Sequence, residues 1–451
     1  MSPSSRTDRP RSVPLAAAAE RLLDPSGPLG VPLPAYAGRS LPNISSSIVQ
    51  ALGREKPSAA LPPLDAPIDP FAGRRAEGPV LLLVVDGLGY TRLARSASRT
   101  DGGRARRLLE HAEPITSVFP TTTTVALASL STAASPSRHG LVGYRQYLPA
   151  FGTVVDMLRQ SPGGVVPDDA LVGPGWSPSL VLGGPTIFRE RVGDAVAVSR
   201  DRFEGRGFTR LLYDGAGYVP YAGYADFAAT LASQLSGPSA PPLVVAYWDE
   251  LDTTSHLQGP DSTAIDLEID RLVELLGHVA REVGRPLARR ITVLLTADHG
   301  QVPAAPASQT AFDAEPALME LLARPPTGDR RVGLLRARSG SVDRLEEAVR
   351  VRLGRGTRTF RAEEAIRHGL FGPPPFHPEL LERVGDLVVL VASPGGITYT
   401  PPGRPPMRRV LLGAHGGLET DEFLVPLVAG PLADLGAEPP SGAAGAAPGK
   451  S

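Results

Sequence analysis

The chain has 451 residues, with 46 lysines and arginines against 47 aspartates and glutamates, so its formal net charge at pH 7 is -1. This balance gives no overall basic field of the kind that attracts a nucleic-acid polymer. The sequence contains no cysteine, which excludes disulfides, a thiolate nucleophile and cysteine-ligated zinc. Any metal site must therefore use histidine, carboxylate or hydroxyl ligands.

The two ends of the chain have a composition that is typical of disorder. Residues 1–30 and 431–451 are rich in proline, glycine, alanine and serine, and we expect both segments to be disordered. The N-terminal arginines lack the apolar run of a signal peptide, and no stretch approaches the roughly 20 apolar residues of a membrane span. We therefore expect a cytoplasmic protein with no membrane partner.

Five short apolar runs without polar alternation predict strands that are covered on both faces, as in a parallel sheet flanked by helices. Between them, segment 261–283 repeats apolar residues at steps of four and three, which predicts an amphipathic helix. This alternation of strands and helices indicates an α/β fold with a central, mostly parallel sheet. The apolar runs are PVLLLVVD (79–86), PPLVVAYWD (241–249), ITVLLTAD (291–298), DLVVLVA (386–392) and FLVPLVA (423–429).

Segment 303–385 has a different character, with one strand candidate, one helix candidate and the breaker GPPPFHP. We interpret it as a smaller lid region inserted between two core strands, at the sheet edge where open parallel sheets bind ligands. The predicted organisation is a catalytic core formed by residues 31–302 and 386–430, with the lid between its two parts.

Three of the predicted strands end in acidic residues, so their carboxylates are expected at one edge of the sheet. Asp86 closes the first run and Asp298 closes the third. The second run leads into Asp249 and Asp252, and either Asp249 or Glu250 is an alternative to Asp252 as the functional acid. Each acid alone is compatible with an ordinary turn, so the shared edge is what favours a common site.

Three histidines accompany these acids: His299 directly follows the third run, His256 stands four residues after Asp252, and His415 lies in GAHGG. Carboxylate oxygens with imidazole nitrogens form a ligand set that suits zinc, with manganese as the second choice. The donors suffice for two ions, and a pair of cations can bind both the attacking and the leaving oxygen of a phosphorus centre. The other five histidines are expected to be structural or near the surface: His111, His139, His278, His368 and His377.

Four consecutive threonines, Thr121 to Thr124, follow Pro120 and precede the apolar run VALASLSTAA. This pattern predicts a short buried helix, whose N-terminus would present free N–H groups to phosphate oxygens. A threonine hydroxyl at that place becomes a nucleophile when a bound cation removes its proton. The alternative is that all four hydroxyls only satisfy N–H groups of the helix start, and the local pattern does not choose among them.

The motifs resemble, in order and approximate spacing, those of the alkaline phosphatase superfamily, and most of all its type I phosphodiesterase/nucleotide pyrophosphatase branch. The segments that carry the resemblance are VLLLVVDGLG, the threonine segment ending in PSRHG, DTTSH, TADHG and GAHGG. Counting back thirteen residues from Pro136, the resemblance implies that Thr123 is the nucleophile, with Thr122 as the runner-up. It also implies an alkaline-phosphatase-like fold.

The resemblance further implies which side chains would bind two divalent ions. One ion would be held by Asp86, Thr123, Asp298 and His299, and the other by Asp252, His256 and His415.

The chain also departs from the branch at two places. Gly143 and Tyr144 stand where the branch usually carries an Asp-Asn pair, whose asparagine donates to the substrate phosphate. Tyr144 is therefore a candidate substrate-binding residue. Sulfatases of the superfamily need cysteine or serine where this chain has Ala134, so sulfatase chemistry is not expected.

The expected function is that of a two-metal enzyme that hydrolyses a small-molecule phosphate ester or nucleotide through a phosphothreonine intermediate, as a phosphodiesterase or nucleotide pyrophosphatase. Three reactions of the same superfamily remain as alternatives: phosphonate hydrolysis, phosphomonoester hydrolysis and phosphomutase activity. An alternative of a different class is a non-catalytic binding module that metal ions stabilise.

Overall fold

The computed structural model describes residues 17–55, 57, 60–99, 103–163, 166–403 and 409–436. The disorder predicted for residues 1–16 and 437–451 lies outside the described residues. Within the two segments that were expected to be disordered, the structure places helices at Ala17–Leu22 and Leu432–Leu435. These parts fold because Leu29 and Leu432 are buried in the hydrophobic core.

The described residues form two large sheets and two small strand pairs. In chain order the strands are β1 (Val80–Val85), β2 (Ala112–Thr116), β3 (Arg145–Leu148), β4 (Thr153–Asp156), β5 (Ser161–Pro162), β6 (Val196–Arg200), β7 (Gly217–Tyr221), β8 (Leu243–Trp248), β9 (Thr292–Thr296), β10 (Val302–Pro303), β11 (Gln309–Ala311), β12 (Thr327–Gly328), β13 (Val332–Leu335), β14 (Arg358–Arg361), β15 (Leu387–Leu390), β16 (Gly396–Thr398), β17 (Gly413–Ala414) and β18 (Leu424–Pro431).

Among the helices of the described residues, none combines the length and the apolar character that a membrane span requires. In chain order they are α1 (Ala17–Leu22), α2 (Leu41–Ala51), α3 (Tyr90–Arg99), α4 (Arg104–Glu110), α5 (Thr123–Thr132), α6 (Pro136–His139), α7 (Ile187–Glu190), α8 (Gly207–Leu212), α9 (Tyr224–Leu235), α10 (Glu250–Gln258), α11 (Thr263–Val283), α12 (Arg285–Ala288), α13 (Pro316–Met319), α14 (Val342–Leu353), α15 (Ala362–Arg367), α16 (Leu380–Val384), α17 (Thr420–Phe423) and α18 (Leu432–Leu435).

The first large sheet has seven strands in the order β2-β18-β9-β1-β8-β6-β7. The five strands from β9 to β7 are parallel to one another, which confirms the predicted mostly parallel sheet. Every residue of β1 and β8 is buried. Because successive side chains of a strand point to opposite faces, helices must cover both faces of this sheet, as the unbroken apolar runs predict.

The run 423–429 joins this sheet as β18, but it is antiparallel to both of its neighbours, β2 and β9. The expectation of a parallel strand is therefore wrong for this run. Burial on both faces gives the same continuous apolar pattern whichever way a strand runs, so the pattern does not report strand direction.

The predicted helix 261–283 is confirmed as α11, which begins after Ser262 and ends at Val283. The Ser262 side chain accepts a hydrogen bond from the backbone N–H of Ala264 at 3.2 Å, which satisfies one free donor of the first turn. The apolar residues at steps of four and three lie in the main hydrophobic core, including Ile265, Ile269, Leu272, Leu276 and Val279.

The second large sheet is mainly antiparallel and has the order β14-β15-β13-β12-β3-β4-β5. It combines strands from two separate segments, 145–162 and 327–390. The run 386–392 supplies β15 of this sheet, so its predicted place in the parallel sheet is wrong. Alternate residues of β15 pack into two different hydrophobic clusters, which explains why this run too lacks polar alternation.

Candidate metal centre

The carboxyl ends of three neighbouring strands place the predicted acids at one edge of the first sheet. β1 lies between β8 and β9 and is parallel to both. Asp86 follows β1, Asp298 follows β9, and Asp252 lies in the first turn of α10, which begins directly after β8. One turn further along α10 is His256. The sheet topology thus brings together residues that are far apart in the sequence.

Asp86, Asp298 and His299 form the first group of candidate ligands, with one ligand atom from each residue lying within 4.8 Å of the others. His299 Nε2 is 3.5 Å from Asp86 Oδ1 and 3.5 Å from Asp298 Oδ2. Within the described part of the chain, these two carboxylate oxygens are buried and have no hydrogen-bond partner. Two unpartnered anionic oxygens facing one ring nitrogen form a site that fits a cation.

The other oxygen of each of these carboxylates is held by the protein. The Tyr247 hydroxyl donates to Asp86 Oδ2. The backbone N–H groups of Gly87 and His299 donate to Asp298 Oδ1 at 3.1 Å and 2.9 Å. These bonds fix the orientation of both carboxylates, so that the remaining oxygens are directed at the common point.

Asp252, His299 and His415 form the second group of candidate ligands, again with ligand atoms within 4.8 Å of one another. The rings of His299 and His415 are stacked with their centroids 3.7 Å apart. His256 borders this group, because its Nε2 is 3.4 Å from Asp252 Oδ2 and its ring centroid is 5.3 Å from that of His415. His299 therefore belongs to both groups, whereas the sequence-based prediction assigned it to the first ion only.

All three histidines direct their Nδ1 atom at a backbone carbonyl oxygen. A neutral imidazole that donates from Nδ1 keeps the lone pair of Nε2 for a cation. This arrangement sets the same tautomer in all three rings. The Nδ1-to-oxygen distances are 2.9 Å from His256 to Gly413, 3.0 Å from His299 to Gly300 and 3.0 Å from His415 to Thr121.

Burial and mutual repulsion perturb the titration of this cluster. Burial, followed by the charges of Asp298 and Asp252, raises the pKa of Asp86 well above its usual value. Burial, together with the charge of Asp252, raises the pKa of Asp298 to about 6. Burial also lowers the pKa of His415 to about 4. At neutral pH the imidazole is therefore neutral while carboxylates crowd together, a combination that a divalent cation stabilises.

The structure separates Asp252 from its two alternatives. Asp249 accepts hydrogen bonds from Arg200 Nε at 2.8 Å and from Arg202. Glu250 also pairs with Arg200. Both alternative acids are therefore engaged with arginines, whereas Asp252 is grouped with imidazoles.

The four threonines have different surroundings. The hydroxyls of Thr121 and Thr124 donate to backbone carbonyl oxygens at 2.9 Å and 3.1 Å. Thr122 is the N-cap of α5, and its hydroxyl is buried without a hydrogen-bond partner in the described structure. Thr123 is the first residue of α5, and its Oγ1 lies 3.2 Å from His299 Nε2. Thr123 is thus the threonine whose hydroxyl contacts a candidate ligand.

A cavity of about 960 Å³ opens onto both groups, and Thr123 and Tyr144 line it. A side chain cannot be added at Gly143, because a Cβ atom there would lie 2.9 Å from the Cα atom of Gly328. The backbone of β12 therefore occupies the space beside this position. Guanidinium groups that suit an anionic substrate are supplied along the wall by Arg145, Arg159, Arg202, Arg206, Arg330 and Arg409.

Three residues near the site were missed by the sequence reasoning. Tyr247 lies in an apolar run, so its sequence context predicts only a core residue. A buried tyrosine hydroxyl needs a hydrogen-bond partner, however, and this requirement is a signal for a nearby acid. Gln301 donates from Nε2 to Asp252 Oδ1. Asp329 has its Oδ2 3.7 Å from His415 Nδ1. The local sequence around Gln301 and Asp329 gives no indication of these roles, because the roles depend on contacts between distant segments.

The fold is similar to solved structures of known enzymes. Murine ectonucleotide pyrophosphatase / phosphodiesterase 5 superposes with a TM-score of 0.59 at 18% identity, over 78% of this chain and 88% of that chain. A further structure of that murine protein is an inactive variant, in which a threonine is replaced by alanine, in complex with AMP. Phosphonoacetate hydrolase from Sinorhizobium meliloti 1021, in complex with phosphonoacetate, superposes with a TM-score of 0.54 at 19% identity, over 79% of this chain and 91% of that chain.

No protein with a curated description matches the sequence of the chain. A sequence model of the type I phosphodiesterase / nucleotide pyrophosphatase family matches residues 80–418. This range contains all of the predicted site residues and well over half of the chain. The chain therefore belongs to the type I phosphodiesterase / nucleotide pyrophosphatase family, which consists of metal-dependent phosphoester hydrolases.

Proposed function

We propose that the protein hydrolyses the phosphodiester or pyrophosphate bond of a small ester or nucleotide, with Thr123 as its nucleophile. The observation that carries this proposal is the position of the Thr123 hydroxyl, which lines the cavity and lies 3.2 Å from His299 Nε2. His299 is the one residue shared by both ligand groups. The nucleophile would thus stand beside the ions and face the substrate.

Two divalent ions, Zn²⁺ or Mn²⁺, would supply Lewis-acid stabilisation of negative charge and would lower the pKa of the threonine hydroxyl. The unpartnered oxygens of Asp86 and Asp298 support one ion site. The group of Asp252 and His415, with His256 beside it, supports the other.

The reaction would proceed in two displacements at phosphorus. Thr123 Oγ1, whose proton passes to solvent, attacks phosphorus, and the bond to the leaving oxygen breaks; that oxygen takes up a proton from solvent, and the product on the protein is a phosphothreonine. Water then attacks the same phosphorus, and the bond to Oγ1 breaks, which restores the hydroxyl. Thr123 begins a helix of ten residues, so the positive end of the helix dipole faces the phosphoryl oxygens in both steps.

The dimensions of the cavity support a substrate that is larger than inorganic phosphate. Its volume of about 960 Å³ is at the upper end of the range for sites that enclose a small molecule. Tyr144 also lines the cavity, and the sequence comparison with the branch made it the candidate phosphate-binding residue. We propose that Tyr144 contacts the substrate, and that a nucleotide or a comparable diester fills the cavity.

The inactive murine variant is consistent with a threonine nucleophile, because the replaced residue is a threonine and the variant was obtained in complex with AMP. The phosphonoacetate hydrolase favours a second candidate function, hydrolysis of a phosphonate on the same fold. The branch usually has a phosphate-binding asparagine where this chain has Tyr144. Because this contact to the substrate differs from that of the branch, both diester hydrolysis and phosphonate hydrolysis stay candidate functions.

The test compares Thr123→Ala with Thr122→Ala, since the two hydroxyls are adjacent and Thr122 makes no side-chain hydrogen bond within the described structure. Turnover would be measured with bis(p-nitrophenyl) phosphate, p-nitrophenyl phosphate, NAD and phosphonoacetate, and bound metal by elemental mass analysis. We expect Thr123→Ala to lose at least ~10³-fold in kcat while keeping its metal. Thr122→Ala should retain turnover.

Normal turnover by Thr123→Ala would contradict the covalent route, and loss in Thr122→Ala alone would transfer the role to Thr122. Preference for phosphonoacetate over the diesters would select the second candidate function. A wild-type protein that binds metal but acts on none of the four compounds would favour a non-catalytic binding module.

A further inference from the structure

The turn between β12 and β13 brings a carboxylate to the metal centre that belongs to neither ligand group. Asp329 lines the cavity, and its Oδ2 lies 3.7 Å from His415 Nδ1. Its side chain is 11% exposed, and Oδ2 itself is buried with no hydrogen-bond partner within the described structure. A buried anionic oxygen without a partner is costly, so its place beside an imidazole requires an explanation.

Backbone and side-chain bonds hold Asp329 in this position. Its N–H donates to the carbonyl oxygen of Val332 at 2.8 Å, and the N–H of Val332 donates back at 3.2 Å. Asp329 Oδ1 accepts from the N–H of Arg330 at 2.7 Å. The next residue, Arg331, is fully buried and donates to Glu422 at 2.9 Å. The turn is therefore anchored to the part of the chain that follows the histidine loop.

The loop that carries His415 lies directly against this turn. Gly416 has a φ of +124°, and a Cβ atom at this position would lie 3.2 Å from Asp329 Cβ. A residue with a side chain is disfavoured there by both the backbone conformation and the available space. The close approach places the carboxylate on the Nδ1 side of the imidazole of the preceding residue.

We propose that Asp329 is a positioning residue for His415 in the metal centre. Nε2 is the atom of His415 available to a cation, because Nδ1 also contacts the carbonyl oxygen of Thr121 at 3.0 Å. Asp329 lies on the opposite side of the ring and is not among the ligand groups of the described residues. It therefore acts through His415. An imidazole whose Nε2 lone pair binds a cation gains positive charge, and a carboxylate near Nδ1 stabilises that charge.

This proposal links the predicted lid, 303–385, to the affinity of the ion beside Asp252. It rests on the proposed function in one respect only, which is that metal ions bind to these ligand groups. Failure of the threonine chemistry would leave the affinity measurement below unaffected, so the two proposals fail separately.

The test is a titration of chelator-treated full-length protein with Zn²⁺ against a chromophoric chelator. Asp252→Asn identifies which of the two affinities belongs to the ion in question. We expect Asp329→Asn to weaken that affinity by about 10–100-fold and to leave the other within about threefold. Asp168→Asn is the matched control, because Asp168 lines the same cavity but pairs with Arg159. We expect this control to retain both affinities.

A ring-nitrogen spectrum of ¹⁵N-histidine-labelled, Zn²⁺-loaded protein supplies a second readout. Asp329→Asn should shift the Nδ1 signal of His415 and leave that of His256 unchanged. If Asp329→Asn does not fold, the pair Asp329→Glu and Asp329→Gln makes the same comparison, since its members again differ only in charge. Unchanged affinities, equal weakening of both ions, or the same loss in Asp168→Asn would each overturn the proposal.

Discussion

Replacing Asp298 with asparagine should stabilise the metal-free protein, although it removes a candidate ligand. Asp298 Oδ1 accepts two backbone N–H bonds, which an asparagine Oδ1 can also accept. Its Oδ2 has no hydrogen-bond partner in the described structure and lies 3.5 Å from His299 Nε2. An amide nitrogen fits in its place without a charge. The substitution therefore keeps the shape of the site and removes one of its crowded carboxylates.

The size of the effect follows from the titration of this carboxyl group. Burial raises the pKa of Asp298 from 3.8 to about 6, and at ~1.4 kcal/mol per pH unit this corresponds to about 3 kcal/mol. The folded protein keeps the proton up to about pH 6, whereas the unfolded chain loses it near 3.8. The wild type therefore loses stability as the pH rises through this window. Asparagine does not titrate, so the advantage of Asp298→Asn is absent at low pH and complete above about pH 7.

The assay is urea unfolding of both proteins after metal removal by a chelator, at about pH 5 and about pH 8. We expect Asp298→Asn to be the more stable protein at both pH values, with about half of its full advantage at the lower pH, which lies between the two pKa values, and all of it at the higher pH. Addition of Zn²⁺ should reverse the order, because a bound ion stabilises the folded wild type by mass action. Asp168→Asn, which breaks a partly exposed ion pair with Arg159, should change stability by no more than ~1 kcal/mol. A metal-free Asp298→Asn protein that is less stable than the wild type at both pH values would refute the reasoning.

Two further substitutions test the supports of the site. Tyr247→Phe removes the donor to Asp86, a hydrogen bond to a charged acceptor worth ~1.5–3 kcal/mol, and should weaken the first ion ~10–100-fold in a chelator titration. Tyr218→Phe, which loses a bond to a neutral carbonyl oxygen, should leave that ion unaffected. Asp249→Asn removes one of the two acidic partners of the buried Arg200, which keeps Glu250, and should cost ~1.5–3 kcal/mol of stability in urea unfolding, while elemental analysis still finds the metal content of the wild type. Loss of an ion in Asp249→Asn would restore that residue as a candidate ligand.

The parts of the site that the sequence predicts are those that depend on strand position alone. Asp86 and Asp298 follow apolar runs that are buried on both faces. Parallel neighbours must end at the same edge of a sheet, so the two acids converge once the runs are identified as strands. Local patterns and one topological rule suffice here, and β1 and β9 satisfy both.

The choice between Asp249 and Asp252 illustrates what such patterns omit. Both acids follow β8 within a few residues, and their sequence contexts are equivalent as turn or helix-start positions. What separates them is Arg200 at the end of β6, which binds Asp249 across the adjacent strand. That contact depends on strand order, which the apolar runs do not encode. The same holds for strand direction, since the runs 386–392 and 423–429 are buried on both faces but antiparallel to their neighbours.

One contact explains two features that look unrelated in the sequence. The turn formed by Gly328 and Asp329 reaches the candidate metal centre from the second sheet. Its backbone at Gly328 leaves no room for a side chain at position 143, where the branch usually has the first residue of its Asp-Asn pair. The next residue of the turn presents its carboxylate to His415. The departure at Gly143 and the extra acid at the histidine are therefore consequences of the same turn.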